Sequence, residues 1–116
     1  MSSLPEASQI ADPLSLAGRA AFVTGGSRGI GLACARALAE RGSDIAISGS
    51  HDLDGLQAKA AELADEFGVT AIGLVCDNAE PSQIPAAYKT IRAELGRLDV
   101  LVNNAGIMEG ALIGMI

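Results

Sequence analysis

An α/β fold on a parallel sheet is what this sequence of 116 residues predicts, and three observations carry that expectation. Four short apolar runs of strand type alternate with three segments whose apolar residues recur at helical spacing. A glycine-rich turn, Thr24-Gly25-Gly26-Ser27-Arg28-Gly29-Ile30-Gly31, joins the first strand to the first helix. The composition is 49% hydrophobic but only 3% aromatic, so the core must be Ala, Val, Ile and Leu. Such residues suit strands buried on both faces.

Residues 1–16 read as a flexible N-terminal arm. Pro5, Glu6, Asp12 and Pro13 interrupt it, and it lacks the basic start and apolar run of a secretory signal. Residues 17–116 form one domain. Strand one is expected over 19–24 and helix one over 29–41, with Ile30, Ala33, Cys34, Ala37 and Leu38 on its buried face and Gly42 as its stop. Strand two covers 44–48. Helix two covers 52–67, where Leu53, Leu56, Ala60, Leu63 and Phe67 are spaced by three and four residues, and Gly68 ends it. Strand three is expected over 69–76. The polar turn 77–81 opens helix three, 82–95, with Ile84, Tyr88, Ile91 and Leu95 as its apolar stripe and Gly96 at its close. Strand four covers 98–102. The β-α-β-α-β-α-β order implies right-handed crossovers and strand order 3-2-1-4, the first half of a Rossmann-type doubly wound parallel sheet.

Charge and composition narrow the function classes. The formal net charge is −6 and no basic cluster exists, which argues against nucleic acid as a partner. No run approaches the roughly 18 apolar residues of a membrane helix. Together these point to a cytoplasmic protein. Cys34 and Cys76 read as small core residues rather than a disulfide or metal site, and His51 is the single histidine.

The chemistry lies in two turns. Glycines let a backbone approach a pyrophosphate, and a helix N-terminus offers free N–H groups and a favourable dipole. The spacing Gly25-x3-Gly29-x-Gly31 differs from the commoner three-glycine dinucleotide spacing. A P-loop would need Lys followed by Ser or Thr after the last glycine, where this chain has Leu32-Ala33. Alone, such a turn is also compatible with a tight strand–helix connection. The second element is Asn103-Asn104-Ala105-Gly106, after strand four. In a sheet of order 3-2-1-4 the C-terminal ends of strands one and four are neighbours at the switch point, so both turns should converge on one crevice.

These motifs, in this alternation, resemble the short-chain dehydrogenase/reductase family, and most of all its bacterial 3-oxoacyl-acyl-carrier-protein reductases. The fit covers about residues 16–116. The resemblance implies a nicotinamide dinucleotide as cofactor, held by Thr24, Gly25, Ser27, Arg28, Gly29, Ile30 and Gly31. It places the acid that bonds the adenine amino group on Asp77, the adenine-pocket backbone on Asn78, and the segment that steadies the sheet and lines the cofactor on Asn103, Asn104, Ala105 and Gly106. It implies hydride transfer to or from a small carbonyl or alcohol substrate, no metal, and homo-oligomeric full-length relatives.

The choice between the two nicotinamide cofactors turns on strand two. An acid at its end, about 20 residues after the glycines, would hold a ribose 2′-hydroxyl. Gly49 and then Ser50 stand there, so no carboxylate opposes a 2′-phosphate. Arg28 offers that phosphate a forked guanidinium. NADP(H) is therefore expected over NAD(H), with Ser50 in the site. Asp52 is read as the cap of helix two, with reach to the ribose as its alternative role.

In the family the proton-moving residues, a Ser and a Tyr-x3-Lys, lie downstream of the Asn-Asn-Ala-Gly segment. This chain extends ten residues beyond Gly106 and holds one tyrosine, Tyr88, on the apolar stripe of helix three. The expectation is thus a cofactor-binding part, cut before the catalytic segment and inactive alone, with no catalytic residue of its own. An inactive nucleotide-binding module, or a non-functional remnant, is the alternative.

Overall fold

The structure, a computed structural model, describes residues 15–77 and 80–104. Its elements are β1 (Ala20–Thr24), α1 (Gly29–Glu40), β2 (Asp44–Gly49), α2 (Leu53–Phe67), β3 (Ala71–Val75), α3 (Gln83–Leu95) and β4 (Val100–Asn103). The four strands form one parallel sheet of order β3-β2-β1-β4, the order the alternation predicts.

Strand pleating sends alternate side chains to opposite faces, and each face is covered by helices. Ala21, Val23, Ile45 and Ile47 pack with Ala35 and Ala39 of α1 and Ala60 and Leu63 of α2. Phe22, Ala46 and Leu74 pack with Ile84, Ala87 and Ile91 of α3 on the other face. The central strands are buried: all five residues of β1, and four of the six in β2. Edge strands β3 and β4 are mostly half-exposed and shorter than the apolar runs suggest. Thr70, ahead of β3, gives its N–H to Asp44 Oδ1 (3.0 Å). β4 starts at Val100 and reaches Asn103, because Asn103 pairs with Thr24.

α1 corrects the expected stripe. Gly31, Ala35 and Ala39 are its buried residues, flanked by half-buried Leu32, Cys34 and Leu38. Ile30, Ala33 and Ala37 face outward, and Ile30 is 75% exposed. Spacing by four in small residues lets the helix backbone lie close to the sheet, which outweighs burying the larger Ile30. In α2, Leu56, Ala60 and Leu63 are buried as expected, but Leu53 in the first turn is 44% exposed. In α3, Ala87 joins Ile84 and Ile91, and Tyr88 stands edge-on to Phe22, 6.1 Å between ring centres. Gly68 and Gly96 close α2 and α3.

Carboxylates close the N-terminal edge of the sheet. Asp99 accepts from the Ala20 N–H (2.9 Å) and takes a two-pronged contact from Arg97 (2.7 Å each), with Arg19 3.6 Å away. Arg97 first, then the Ala20 N–H, hold its carboxyl down from 3.8 to about 2. No helix among the described residues is long and apolar enough to cross a membrane.

Candidate nucleotide site

The opposite edge of the sheet is built from backbone. After Thr24 the chain turns through Gly25 (φ 64°) and Gly29 (φ 60°), a left-handed conformation that favours glycine. Between them the turn rests directly on β2. The Gly26 N–H bonds the Ser48 carbonyl (3.2 Å), and a Cβ on Gly26 would lie 2.7 Å from Ile47 Cγ2. A Cβ on Gly31 would strike the Gly25 carbonyl oxygen and come within 2.8 Å of Asn104 Nδ2. Gly31 thus seats α1 against its own turn.

α1 starts without a cap. Arg28 precedes it in extended conformation, no side chain bonds its first N–H groups, and its first turn holds no acid. The N–H groups and the positive end of the helix dipole are left for an anion.

The end of β4 is stitched to this turn. The Asn104 N–H donates to Thr24 Oγ1 (3.0 Å), and Asn104 Nδ2 donates to the Gly25 carbonyl (3.3 Å). The Thr24 hydroxyl lies 3.3 Å from both the Val102 carbonyl and Asn103 Oδ1. The two turns singled out in the sequence therefore meet at the ends of neighbouring strands.

Beside them opens a cavity of about 460 Å³. One wall is Gly25, Ser27 and Arg28 of the turn. The next is Ser48, Gly49, Ser50 and His51 at the end of β2. A third is Asp52, Gly55, Leu56 and Lys59 of α2, and Cys76 and Asp77 after β3 complete it. Asp52 caps α2: its Oδ1 accepts from the Gly55 N–H (3.1 Å), and its backbone is left-handed (φ 67°). Gly55 makes room for that cap, since a Cβ there would strike Asp52 Oδ2. His51 Nδ1 is 2.9 Å from Ser50 Oγ. The Asp77 N–H is held by Gln83 Oε1 (2.8 Å). The buried Ser48 hydroxyl has no hydrogen-bond partner among the described residues. Burial, then the charge of Asp77, pushes the Cys76 thiol up, so it stays protonated at neutral pH.

Of the residues singled out in the sequence, Gly25, Ser27, Arg28, Ser50 and Asp77 line the cavity. Thr24, Gly29, Gly31 and Asn104 frame the turn without lining it, and Ile30 projects outward at the start of α1. Asn78, Ala105 and Gly106 lie outside the described residues. Sequence reasoning missed Ser48, His51, Gly55, Leu56, Lys59 and Cys76 as cavity residues. A signal existed for part of that set: Gly55, Leu56 and Lys59 follow the capping Asp52 by three, four and seven residues, one helical face. No group of three or more His, Cys, Asp or Glu among the described residues is placed to hold a metal ion.

Residues 19–114 match the family model described as short chain dehydrogenase. The chain belongs to the short chain dehydrogenase family. It is 42% identical over 96 residues to the 3-oxoacyl-(acyl-carrier-protein) reductase of Escherichia coli K12, covering 83% of this chain and 37% of that one. It is 36% identical over 98 residues to the 2-dehydro-3-deoxy-D-gluconate 5-dehydrogenase of Formosa agariphila, covering 84% of this chain and 37% of the relative. Among solved structures it matches the L-sorbose reductase of Gluconobacter frateurii, complexed with NADPH and L-sorbose. There the TM-score is 0.74 at 36% identity, over 80% of this chain and 35% of the other. The chain thus spans little more than a third of the length of these family members. Membership makes it part of an oxidoreductase family that uses NAD(P).

Proposed function

We propose that this chain is the cofactor-binding part of a short chain dehydrogenase that takes NADP(H) and acts on a small carbonyl or alcohol substrate in the cytoplasm. Residues 17–116 are its dinucleotide-binding domain, and the arm expected over residues 1–16 lies, but for residues 15 and 16, outside the described residues. The observation that carries the reading is the start of α1. An uncapped helix with no acid in its first turn follows left-handed Gly25 and begins on left-handed Gly29, and Arg28 stands at that point on the cavity wall.

The residues fit the group. Backbone N–H groups at the start of α1 suit a pyrophosphate, and Gly25 and Ser27 bring backbone to the cavity without bulk. Arg28 suits a ribose 2′-phosphate, with Ser50 beside it and no carboxylate at Gly49. Asp77 is the acceptor for the adenine amino group, with its backbone steadied by Gln83. When bound, the nicotinamide supplies the hydride acceptor or donor of the reaction. The residues described here bind and orient. Tyr88 packs on Phe22, and burial pushes its hydroxyl pKa up, away from the range useful for proton transfer at neutral pH. Proton transfer is therefore assigned to the family's Ser and Tyr-x3-Lys rather than to Tyr88.

Fluorescence titration with NADPH and NADH tests the reading. Losing a charge-assisted hydrogen bond costs about 1.5–3 kcal/mol, so Arg28→Ala should weaken NADPH about ten-fold or more, with a far smaller effect on NADH. Gly49→Asp should move the preference toward NADH. Its Cβ would lie 3.3 Å from Leu56 Cδ2, the movable end of a side chain, so the pocket accommodates it. Unchanged preference in both variants would remove the NADP(H) assignment, and absence of binding to either cofactor would remove the cofactor reading itself.

A further inference from the structure

We infer that Lys59 is a second cation for the ribose 2′-phosphate, held in reserve by Glu62 when no nucleotide is bound. The inference rests on the NADP(H) reading and extends it to a wall of the cavity that the glycine turn does not reach.

The charges on the cavity wall set the need. Arg28 is a cation, and Asp52 and Asp77 are carboxylates on two other walls. With Arg28 alone against two acids, a phosphate carrying up to two negative charges would meet a surface that is net negative. Lys59 changes that balance to two against two. The acid on the same helix is also partly committed: Asp52 accepts from the Gly55 N–H at the positive end of α2. Lys59 lies seven residues beyond Asp52, on the face that Gly55 and Leu56 turn to the cavity.

The ammonium is parked and available. Lys59 Nζ pairs with Glu62 Oε1 at 3.3 Å, one helical turn further along α2. The Lys59 side chain is 33% exposed, half-buried on the cavity wall. Glu62 is 66% exposed and does not line the cavity. An exposed pair of this spacing contributes little to stability, so a phosphate in the cavity can take Lys59 from Glu62 at small cost. Glu62 therefore acts as a competitor whose removal should strengthen phosphate binding.

Adenosine 2′,5′-bisphosphate and 5′-AMP isolate this subsite, because they differ only in the 2′-phosphate. Calorimetric titration of the 116-residue chain at low salt should show tighter binding of the bisphosphate. Lys59→Met keeps the stem and removes the charge. It should weaken the bisphosphate about ten-fold, the low end of a charge-assisted bond, and leave 5′-AMP within about two-fold. Lys59→Arg should restore most of the loss. Glu62→Gln should strengthen the bisphosphate by about two- to three-fold, in keeping with a weak exposed pair, and that gain should vanish in the Lys59→Met background. Equal loss of both ligands in Lys59→Met, or loss of neither, would overturn the role of Lys59. No gain in Glu62→Gln would overturn the reserve. A wild-type chain that prefers the bisphosphate while Lys59→Met loses nothing keeps the NADP(H) reading, and the inference fails alone. One that binds both probes equally keeps a nucleotide site but loses the NADP(H) preference and the inference together. A chain that binds neither removes the NADP(H) reading and the inference together.

Discussion

Helices α1 and α2 start at the same edge of the sheet, and their first turns are finished in opposite ways. α2 is closed by its own sequence: Asp52 caps it and Asp54 adds a second acid in the first turn. α1 has neither a cap nor an acid, although a serine and an arginine stand just before it. A helix end left open costs stability unless something else supplies the negative charge. At α2 the chain supplies it; at α1 the chain does not, and the proposed function gives that place to the cofactor's pyrophosphate. The difference separates a structural helix start from a binding one more sharply than the glycines do, because glycine is also needed at plain turns.

The largest expected effect comes from closing the space beneath the open end. In Gly31→Val the Cβ collides with the Gly25 carbonyl, and overpacking of this kind costs about 1–3 kcal/mol. The turn and α1 should shift apart, and NADPH binding should fall below detection in a fluorescence titration while far-ultraviolet circular dichroism still reports helix. Wild-type affinity in this variant would mean that the open end of α1 is not where the pyrophosphate sits.

The closed end predicts a loss of stability. Asp52→Ala removes the cap, worth about 0.5–2 kcal/mol, and leaves at φ 67° an alanine, which tolerates the left-handed region less well than aspartate. Asp52→Gly should lose much less, because glycine tolerates φ 67° and is itself a fair cap. Urea denaturation should rank wild type above Asp52→Gly, and Asp52→Gly above Asp52→Ala. An Asp52→Ala chain as stable as Asp52→Gly would show that the left-handed backbone carries no strain.

Copying the closed end onto the open one should split stability from binding. Ile30 is exposed in the first turn of α1, so Ile30→Glu adds an acid without disturbing the core. The helix should gain about 0.3–1 kcal/mol, while NADPH should bind more weakly because the new carboxylate competes with the pyrophosphate. Parallel changes in stability and affinity would break the comparison.

The smallest effect belongs to the far edge of the sheet, where Asp99 ties the start of β4 to β1. Its folded pKa of about 2 lies below the ordinary carboxylate value of 3.8. The stability it contributes is therefore complete above the ordinary value and is lost as pH falls through about 2. Asp99→Asn should lower Tm at pH 7, and the gap from wild type should narrow as both are melted at successively lower pH through that window. A gap that stays constant across the window would assign the effect to shape rather than charge.

Much of this architecture was legible because its signals are local and repeat. The alternation of apolar runs and helical stripes led to the strand order, and the spacing of glycines between β1 and α1 marked the turn. Parts of the site were harder to see. Lys59 reads as an ordinary charged residue on the polar side of α2 until Asp52 and Gly55 are seen to turn their shared face to the cavity. Ile30, as the larger apolar residue, drew the expected stripe of α1 one position away from the small residues that are buried. Asp52 carried two open roles, and the Gly55 N–H within reach of its carboxylate decides for the cap.

By itself, the sequence determined which segments are strands and helices, the order in which they cross, and where a glycine-rich turn must lie. Those properties follow from periodicity and from the few residues that tolerate left-handed backbone, both readable along one dimension. Only the tertiary structure decided which face of α1 meets the sheet, how Asn104 ties β4 to the glycine turn, and which charges share the cavity. Each of these depends on the distance between segments remote in sequence. The close approach of α1 to its turn, with no room for a Cβ at Gly31, is set by packing across the sheet.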